Sequence, residues 1–264
     1  MADVFRGIWV VAYRELLRFV QERSRLFSSF AMPLIFLVIF GAGFGQMIGS
    51  SMPPGVNYIQ FMYPGIIAMT VLMSSIMSAI SIVWDREFGF LKEILVSPLG
   101  RSGIVLGKAA GGAAVAVLQA IIMLILAPIL GVSLSLTMVL ELVLVIIIVS
   151  VSLSGLGLLV ASRMQSQQGF QVVVQLIIMP LIFLAGVFYP VNNVPVWMEV
   201  ISKVNPLTYG VDAIRQLFLG SGGAVTLGVT VFGHTMTVLE DVLLVAAFGI
   251  VLLALSVWSF SRQE

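Results

Sequence analysis

Six stretches of this chain, roughly 27–47, 61–83, 104–130, 137–160, 170–188 and 238–259, run for about twenty residues each with scarcely a charge. A helix rises about 1.5 Å per residue, so about 20 apolar residues cross the hydrocarbon core of a bilayer. Composition leaves little alternative. Only 9% of the 264 residues are charged and 60% are hydrophobic, whereas an ordinary soluble domain is about 25% charged. With a mean hydropathy of +1.14, the chain carries more apolar side chain than it could enclose in water. The expectation is an all-α polytopic membrane protein with six transmembrane helices. The fifth run is the shortest, and Pro180 should bend it. Pro33 and Pro128 fall within or near span ends, where neighbouring helices can satisfy the freed carbonyls.

Lys and Arg set the orientation. An even number of spans places both termini on one side. With them fall Arg6, Arg14, Arg18, Arg23, Arg25, Arg86, Lys92, Arg101, Lys108, Arg163 and Arg262, leaving only Lys203 and Arg215 of the 13 basic residues for the other face. Both termini and the second-to-third connector are therefore expected in the cytoplasm. The arginine-rich start, followed by a long apolar run without a small-residue cleavage site, does not read as a removable signal peptide.

That connector, "WDREFGFLKEILVSPLGR", packs Asp85, Arg86, Glu87, Lys92, Glu93 and Arg101 between two nearly uncharged spans. Six charges held at mid-bilayer would cost on the order of 15–20 kcal/mol, so the segment lies outside the lipid. At 100° per residue, Phe88, Phe90, Leu91, Ile94 and Leu95 share one side, and Arg86, Gly89, Lys92, Glu93 and Ser97 the other; Glu87 intrudes on the apolar side and Pro98 ends the helix. Such a helix either lies on the lipid surface or presents a face to a soluble partner. The first 25 residues pose the same choice. Their stripe (Phe5, Ile8, Trp9, Leu16, Phe19, Val20) and recurring charges (Arg14, Arg18, Glu22, Arg25) fit an interfacial helix leading into the first span.

On the outer side about fifty residues separate the fifth and sixth spans, far beyond an ordinary connection. Two short helices suggest themselves, from Pro195 to about Val204 and from about Leu207 to Leu219, stopping at Gly220. The apolar faces of this re-entrant hairpin need cover from the outer leaflet or the span ends. Asp212 and Arg215, three apart, could pair on one face. A short β-hairpin is expected in "SGGAVTLGVTVFGHTM", and Thr237 with Glu240 has capping-box spacing at the head of the last span.

Chemistry has few places to hide. There is no cysteine and a single histidine, His234, which excludes disulfides and thiolate or histidine metal clusters; that histidine falls in the outer loop, so no His/Asp/Ser constellation for hydrolysis is found. "GRSGIVLGKAAGG" is not a P-loop: three residues instead of four part Gly103 from Gly107, no Ser or Thr follows Lys108, and no strand precedes it. Paired midplane carboxylates, the mark of an ion-driven carrier, are not evident. Glu141 is either an interfacial, dipole-stabilised carboxylate or a cavity-lining group. Gln171 and Gln175, four apart, either bond across helices or line a conduit, and Gln119 is the other notable amide. Gly41 with Gly45, "AAGGAAVA" and "SVSLSGLG" mark close helix packing. A net charge of +1 gives no sign of nucleic acid binding.

The two unusual segments together resemble the ABC-2 type permeases, the membrane subunits of bacterial ABC exporters, in the branch of daunorubicin-resistance and nodulation-factor export proteins. On the inner side the likeness rests on Arg86, Glu87, Gly89, Leu91, Glu93, Leu95 and Pro98. On the outer side it rests on Gly186, Tyr189, Pro190, Pro195, Trp197, Asn205, Pro206, Tyr209, Asp212 and Arg215. The resemblance implies one transmembrane domain: a connecting helix over 1–26, spans one and two over 27–83, a coupling helix within 84–103, and spans three to five over 104–188. Outer re-entrant helices over 189–237 and the last span with a short tail over 238–264 complete it. It also implies a dimer of permeases, here expected as a homodimer, on two copies of a separate cytoplasmic ATPase in the cell membrane of a bacterium or archaeon. ATP and magnesium would be held on that partner, with no cofactor on this chain. Asp85, Arg86, Glu87, Lys92 and Glu93 would then make polar contacts to the ATPase, with Phe88, Phe90 and Leu91 as anchors. The outer residues just named would form a gate, and a hydrophobic or amphipathic cargo (a drug, lipid or lipid-linked glycan) would pass outward between the two permeases. An ion-gradient carrier and a non-transporting scaffold remain the alternatives; an intramembrane enzyme lacks a catalytic set.

Overall fold

The computed structural model describes residues 2–49, 56–89, 101–132, 134–231 and 233–262. Among these described residues, six helices are long and apolar enough to cross a membrane: Leu26–Gly45, Tyr58–Glu87, Val105–Leu130, Leu136–Arg163, Gln167–Leu184 and Val238–Ser261. The chain is an all-α polytopic membrane protein, as the apolar runs require.

In chain order, α1 (Ala2–Gln21) leads into α2 (Arg23–Gly49), the first span. The break at Glu22 is slight, because Glu22 N–H still donates to Arg18 and Leu26 N–H to Glu22. The second span is α3 (Tyr58–Ser78) continued by α4 (Ile80–Glu87), and the third is α5 (Arg101–Leu126) with a single 3₁₀ turn after it. The fourth is α6 (Leu136–Arg163) and the fifth α7 (Gln167–Leu184). Two further helices follow, α8 (Val196–Val204) and α9 (Pro206–Leu227), then the two-residue strands β1 (Thr230–Val231) and β2 (His234–Thr235), and α10 (Val238–Ser261) closes the described chain.

The caps follow from residue chemistry. Asn57, Ser135, Ser166 and Thr237 each accept a first-turn N–H, and Thr237 with Glu240 forms the reciprocal box that its spacing predicts. Pro195 precedes the first turn of α8 and Pro206 opens α9, where a missing N–H costs nothing. Gly220 takes a left-handed φ of 67°, breaking α9 at the residue expected to end it.

α3 is the central helix, buried along most of its length against α2, α5, α6 and α9. Small residues let the others close in. A Cβ on Gly157 would stand 2.8 Å from the Cα of Ile76, and one on Gly249 2.7 Å from the Cα of Ser152. Outward faces of α2, α7 and α10 carry exposed Val38, Ile39, Val172, Leu176, Ile250 and Val251, a surface fit for lipid or another apolar helix and not for water.

Candidate functional site

The end of the bundle that gathers α1, the α4–α5 connection and the α6–α7 connection holds a buried ionic node. Lys108, near the start of α5, is 3% exposed. Its Nζ donates to Glu15 Oε1 at 2.9 Å and to Ser81 Oγ at 2.7 Å, and lies 3.6 Å from Asp85 Oδ2. Glycine makes the approach possible: a Cβ on Gly111, one turn further along α5, would touch the Glu15 side chain at 3.0 Å. Thus α1 is packed along α5 instead of resting on lipid alone, and beside Phe19 it buries an acid, Glu15.

One turn beyond, Arg86 Nη1 donates to the carbonyls of Ser162 (3.0 Å) and Met164 (2.6 Å), the last turn of α6 and its cap. Glu87 Oε2 accepts from the N–H of Gln167 at 2.9 Å, adding an acid to the positive end of α7. Ser162 and Arg163 then reach Ser259 of α10 at 2.8 and 2.9 Å. Charge in the connector therefore fastens α4 to three other spans. Helix geometry ends at Glu87, and Gly89 has a left-handed φ of 80°, so Arg86 and Glu87 belong to the span. The single helix expected from Trp84 to Pro98 is broken there, because a residue in that conformation cannot continue a right-handed helix. Phe88 projects fully, at 68% exposure. Phe90, Leu91, Lys92, Glu93 and Pro98 lie outside the described residues.

Beside the node opens a vestibule of about 760 Å³ between α1, α3–α4 and the start of α7. Glu15, Arg18, Ser81 and Gln171 give it polar walls, and Met77 and Trp84 apolar ones. Gln175 is exposed on the same helix one turn deeper, and Glu141 is exposed near the far end of α6.

At the far end, α8 and α9 form a helical hairpin. Asn205 sits at its elbow: Oδ1 accepts from Leu207 N–H at 3.0 Å while Nδ2 donates to Leu181 of α7 at 2.8 Å. Tyr209 Oη donates back to Lys203 at 2.5 Å. Tyr189 bonds the Phe183 carbonyl, and Pro190 leads into a 3₁₀ turn. The span ends cover Leu207, Ile214 and Phe218, whereas Trp197 (64% exposed) and Ile201 stay open.

The expected Asp212–Arg215 pair does not close. Arg215, 2% exposed, turns to α3: Nε donates to Phe61 O at 3.2 Å, Nη2 to Gly186 O at 2.7 Å, and the guanidinium stacks 4.0 Å from the Phe61 ring centre. Carbonyls and an aromatic face satisfy its charge without a carboxylate. Asp212 faces the other way, accepting from Val229 N–H at 2.8 Å and Gln216 Nε2 at 3.0 Å. The same amide donates at 3.0 Å to Asp241, in the first turn of α10 and wholly buried. The two carboxyl groups thus share one amide donor, and the Oδ1 of each has no hydrogen-bond partner among the described residues. A carboxyl pair therefore exists, at the far end of the bundle and not at its midplane. Its members are 29 residues apart, beyond the reach of local spacing; the consecutive acids Glu240 and Asp241, of which the cap uses one, are the signal that could have found it. The partner of Lys108 lies 93 residues away and is equally beyond local spacing.

Comparison with known proteins agrees with this architecture. The chain matches the family described as ABC-2 type transporter over residues 6–219. It is 28% identical to the Cyanophora paradoxa protein named as transport permease ycf38, over 80% of this chain and 73% of that one. It is 30% identical to nodulation protein J of Rhizobium meliloti, over 75% of each. With the Escherichia coli K12 protein named as multidrug ABC transporter permease YbhR it shares 35% identity over 63% of this chain, which spans only 45% of that relative. The chain belongs to the ABC-2 type transporter family, as a multi-pass membrane subunit of an ABC transporter. Membership implies partnership with an ABC ATPase.

Proposed function

We propose that this chain is the permease of an ATP-driven exporter, moving a hydrophobic or amphipathic substrate from the cytoplasm or inner leaflet outward. Two copies form the conduit in the cell membrane of a bacterium or archaeon, termini inside, and two separate ATPase chains hold ATP and magnesium. The observation that carries this reading is the block around the inner connector. Lys108, Glu15 and Asp85 tie α1, α4 and α5 together, and Arg86 and Glu87 tie the same point to α6 and α7. A push on the connector, delivered through Phe88 and residues 90–98, would move these spans as one body. ATP shifts the equilibrium because it binds the closed ATPase pair more tightly than the open one. The mixed walls of the vestibule suit an amphipathic cargo, and Gln171 would contact it.

The test is reconstitution with each candidate ABC ATPase of the source genome in lipid vesicles. A partner should co-purify, and its ATP hydrolysis should rise with apolar cargo. Transport driven by an ion gradient, with no nucleotide and no companion, would overturn the reading and favour a secondary carrier. A companion without cargo-dependent turnover would favour a scaffold.

A further inference from the structure

Where α1 gives way to α2, a second cavity of about 200 Å³ lies among α1, α2, α3 and α5. Phe19, Met32, Met73, Met77 and Val115 give it a mostly apolar wall, and Gln119 supplies an amide. Gln119 lies 11 residues beyond Lys108 on α5, near the middle of its span, while Ser28, Met32 and Met77 lie toward the node ends of theirs, so the cavity runs from mid-span toward the ionic node. Exposed Met32 and Ser28 flank its opening.

Gln119 is 3% exposed, and its Oε1 has no hydrogen-bond partner among the described residues. Such a buried group is costly to leave unsatisfied. Four hydroxyls also line the cavity, Ser28, Ser29, Thr70 and Ser74; Thr70 donates to Ile66 O at 2.9 Å and Ser29 to Leu26 O at 2.7 Å. A dry, apolar cavity of about 150 Å³ is large enough to take a benzene. Three methionines, unbranched and polarisable, let the wall adapt to a guest. A hydroxyl group both donates and accepts, so it answers the amide whichever way that group is turned.

We propose that this cavity binds a slender apolar alcohol from the adjoining leaflet, its hydroxyl on Gln119 and its hydrocarbon among Phe19, Met32, Met73 and Met77. Met77 also walls the vestibule, so the two spaces share one flexible thioether. The site does not depend on the export reading, since binding is measured on the permease alone.

The test uses the purified full chain in phosphatidylcholine nanodiscs, a diazirine-bearing n-alkanol, and its methyl ether, which has no donor. Saturable labelling of the segments holding Met32, Met73 and Met77 is expected, with the alkanol half-saturating on the order of tenfold below the ether. Gln119→Leu should bring the two probes together while keeping the label. Val115→Trp should fill the space and remove it, and Ser74→Phe fills it from α3 should the first variant not fold. Equal labelling by alkanol and ether in the unaltered protein, label that survives filling, or no saturable label at all (a water-filled gap) would each overturn the proposal.

Discussion

Lys108 Nζ stands 2.9 Å from Glu15 Oε1 with the lysine almost wholly enclosed, so an α1 acid and an α5 base neutralise one another where three helices converge. Removing one member of a buried pair leaves the other charge without a partner, at about 3–5 kcal/mol. Lys108→Met should therefore lower the unfolding midpoint of the detergent-solubilised protein sharply. Lys108→Met with Glu15→Met should recover more than half of the loss, because a well-packed apolar pair substitutes for ions of similar volume. An unchanged midpoint in the single variant would show that α1 does not rely on this contact.

Glu87 and Phe88 are neighbours with opposite obligations. Glu87 supplies an acceptor to the first N–H of α7, so Glu87→Ala should cost about 0.5–2 kcal/mol of stability, as the loss of a cap does. Phe88 touches little of its own chain, and Phe88→Ala should leave the unfolding midpoint alone while cutting recovery of the co-purified ATPase. Measuring both quantities on both variants separates a residue that holds the permease together from one that faces a partner.

Burial, foremost, pushes the Asp212 carboxyl above the ordinary carboxylate range, and its bonds to Val229 and Gln216 and the nearby Arg215 charge only partly oppose this. A folded-state value above the unfolded one means that the native chain holds the extra proton. The associated stability is complete below the unfolded value of about 4 and is lost as pH rises through the raised folded one. Unfolding midpoints of the intact protein should therefore fall as pH rises above about 4. Asp212→Asn, which keeps an acceptor for Val229 and needs no titrating proton, should flatten that slope; an unchanged slope would place the titration elsewhere.

What could be read beforehand divides along sequence distance. The spans emerged within a few residues of their ends because a 20-residue apolar run has one physical solution in a bilayer. Pro195, Pro206 and Gly220 outlined α8 and α9, and Thr237 with Glu240 marked the head of α10, since each device acts within four residues. Local proximity also misled. Arg215 seemed a natural partner for Asp212 three residues away, but the helix presents them to different neighbours, α3 on one side and α10 on the other. The ionic node and the carboxyl pair join elements distant in the chain, and no local spacing announces them.

Two glycines in different spans, Gly45 and Gly249, should behave oppositely. Alanine in a helix is ordinarily worth roughly 0.5–1 kcal/mol over glycine. At Gly45 of α2 a Cβ would meet nothing within 4 Å, so Gly45→Ala should be neutral or mildly stabilising despite its GxxxG spacing from Gly41. At Gly249 the new Cβ would fall against the Ser152 backbone, which cannot swing aside as a long side chain would. The α6–α10 contact must then open, costing about 1–3 kcal/mol, the range for overpacked cores. Unfolding midpoints of the two variants in monodisperse detergent give the comparison. Were Gly45→Ala as damaging as Gly249→Ala, the open face of α2 would have to be covered in the assembled protein, and the second permease copy would be the first candidate to cover it.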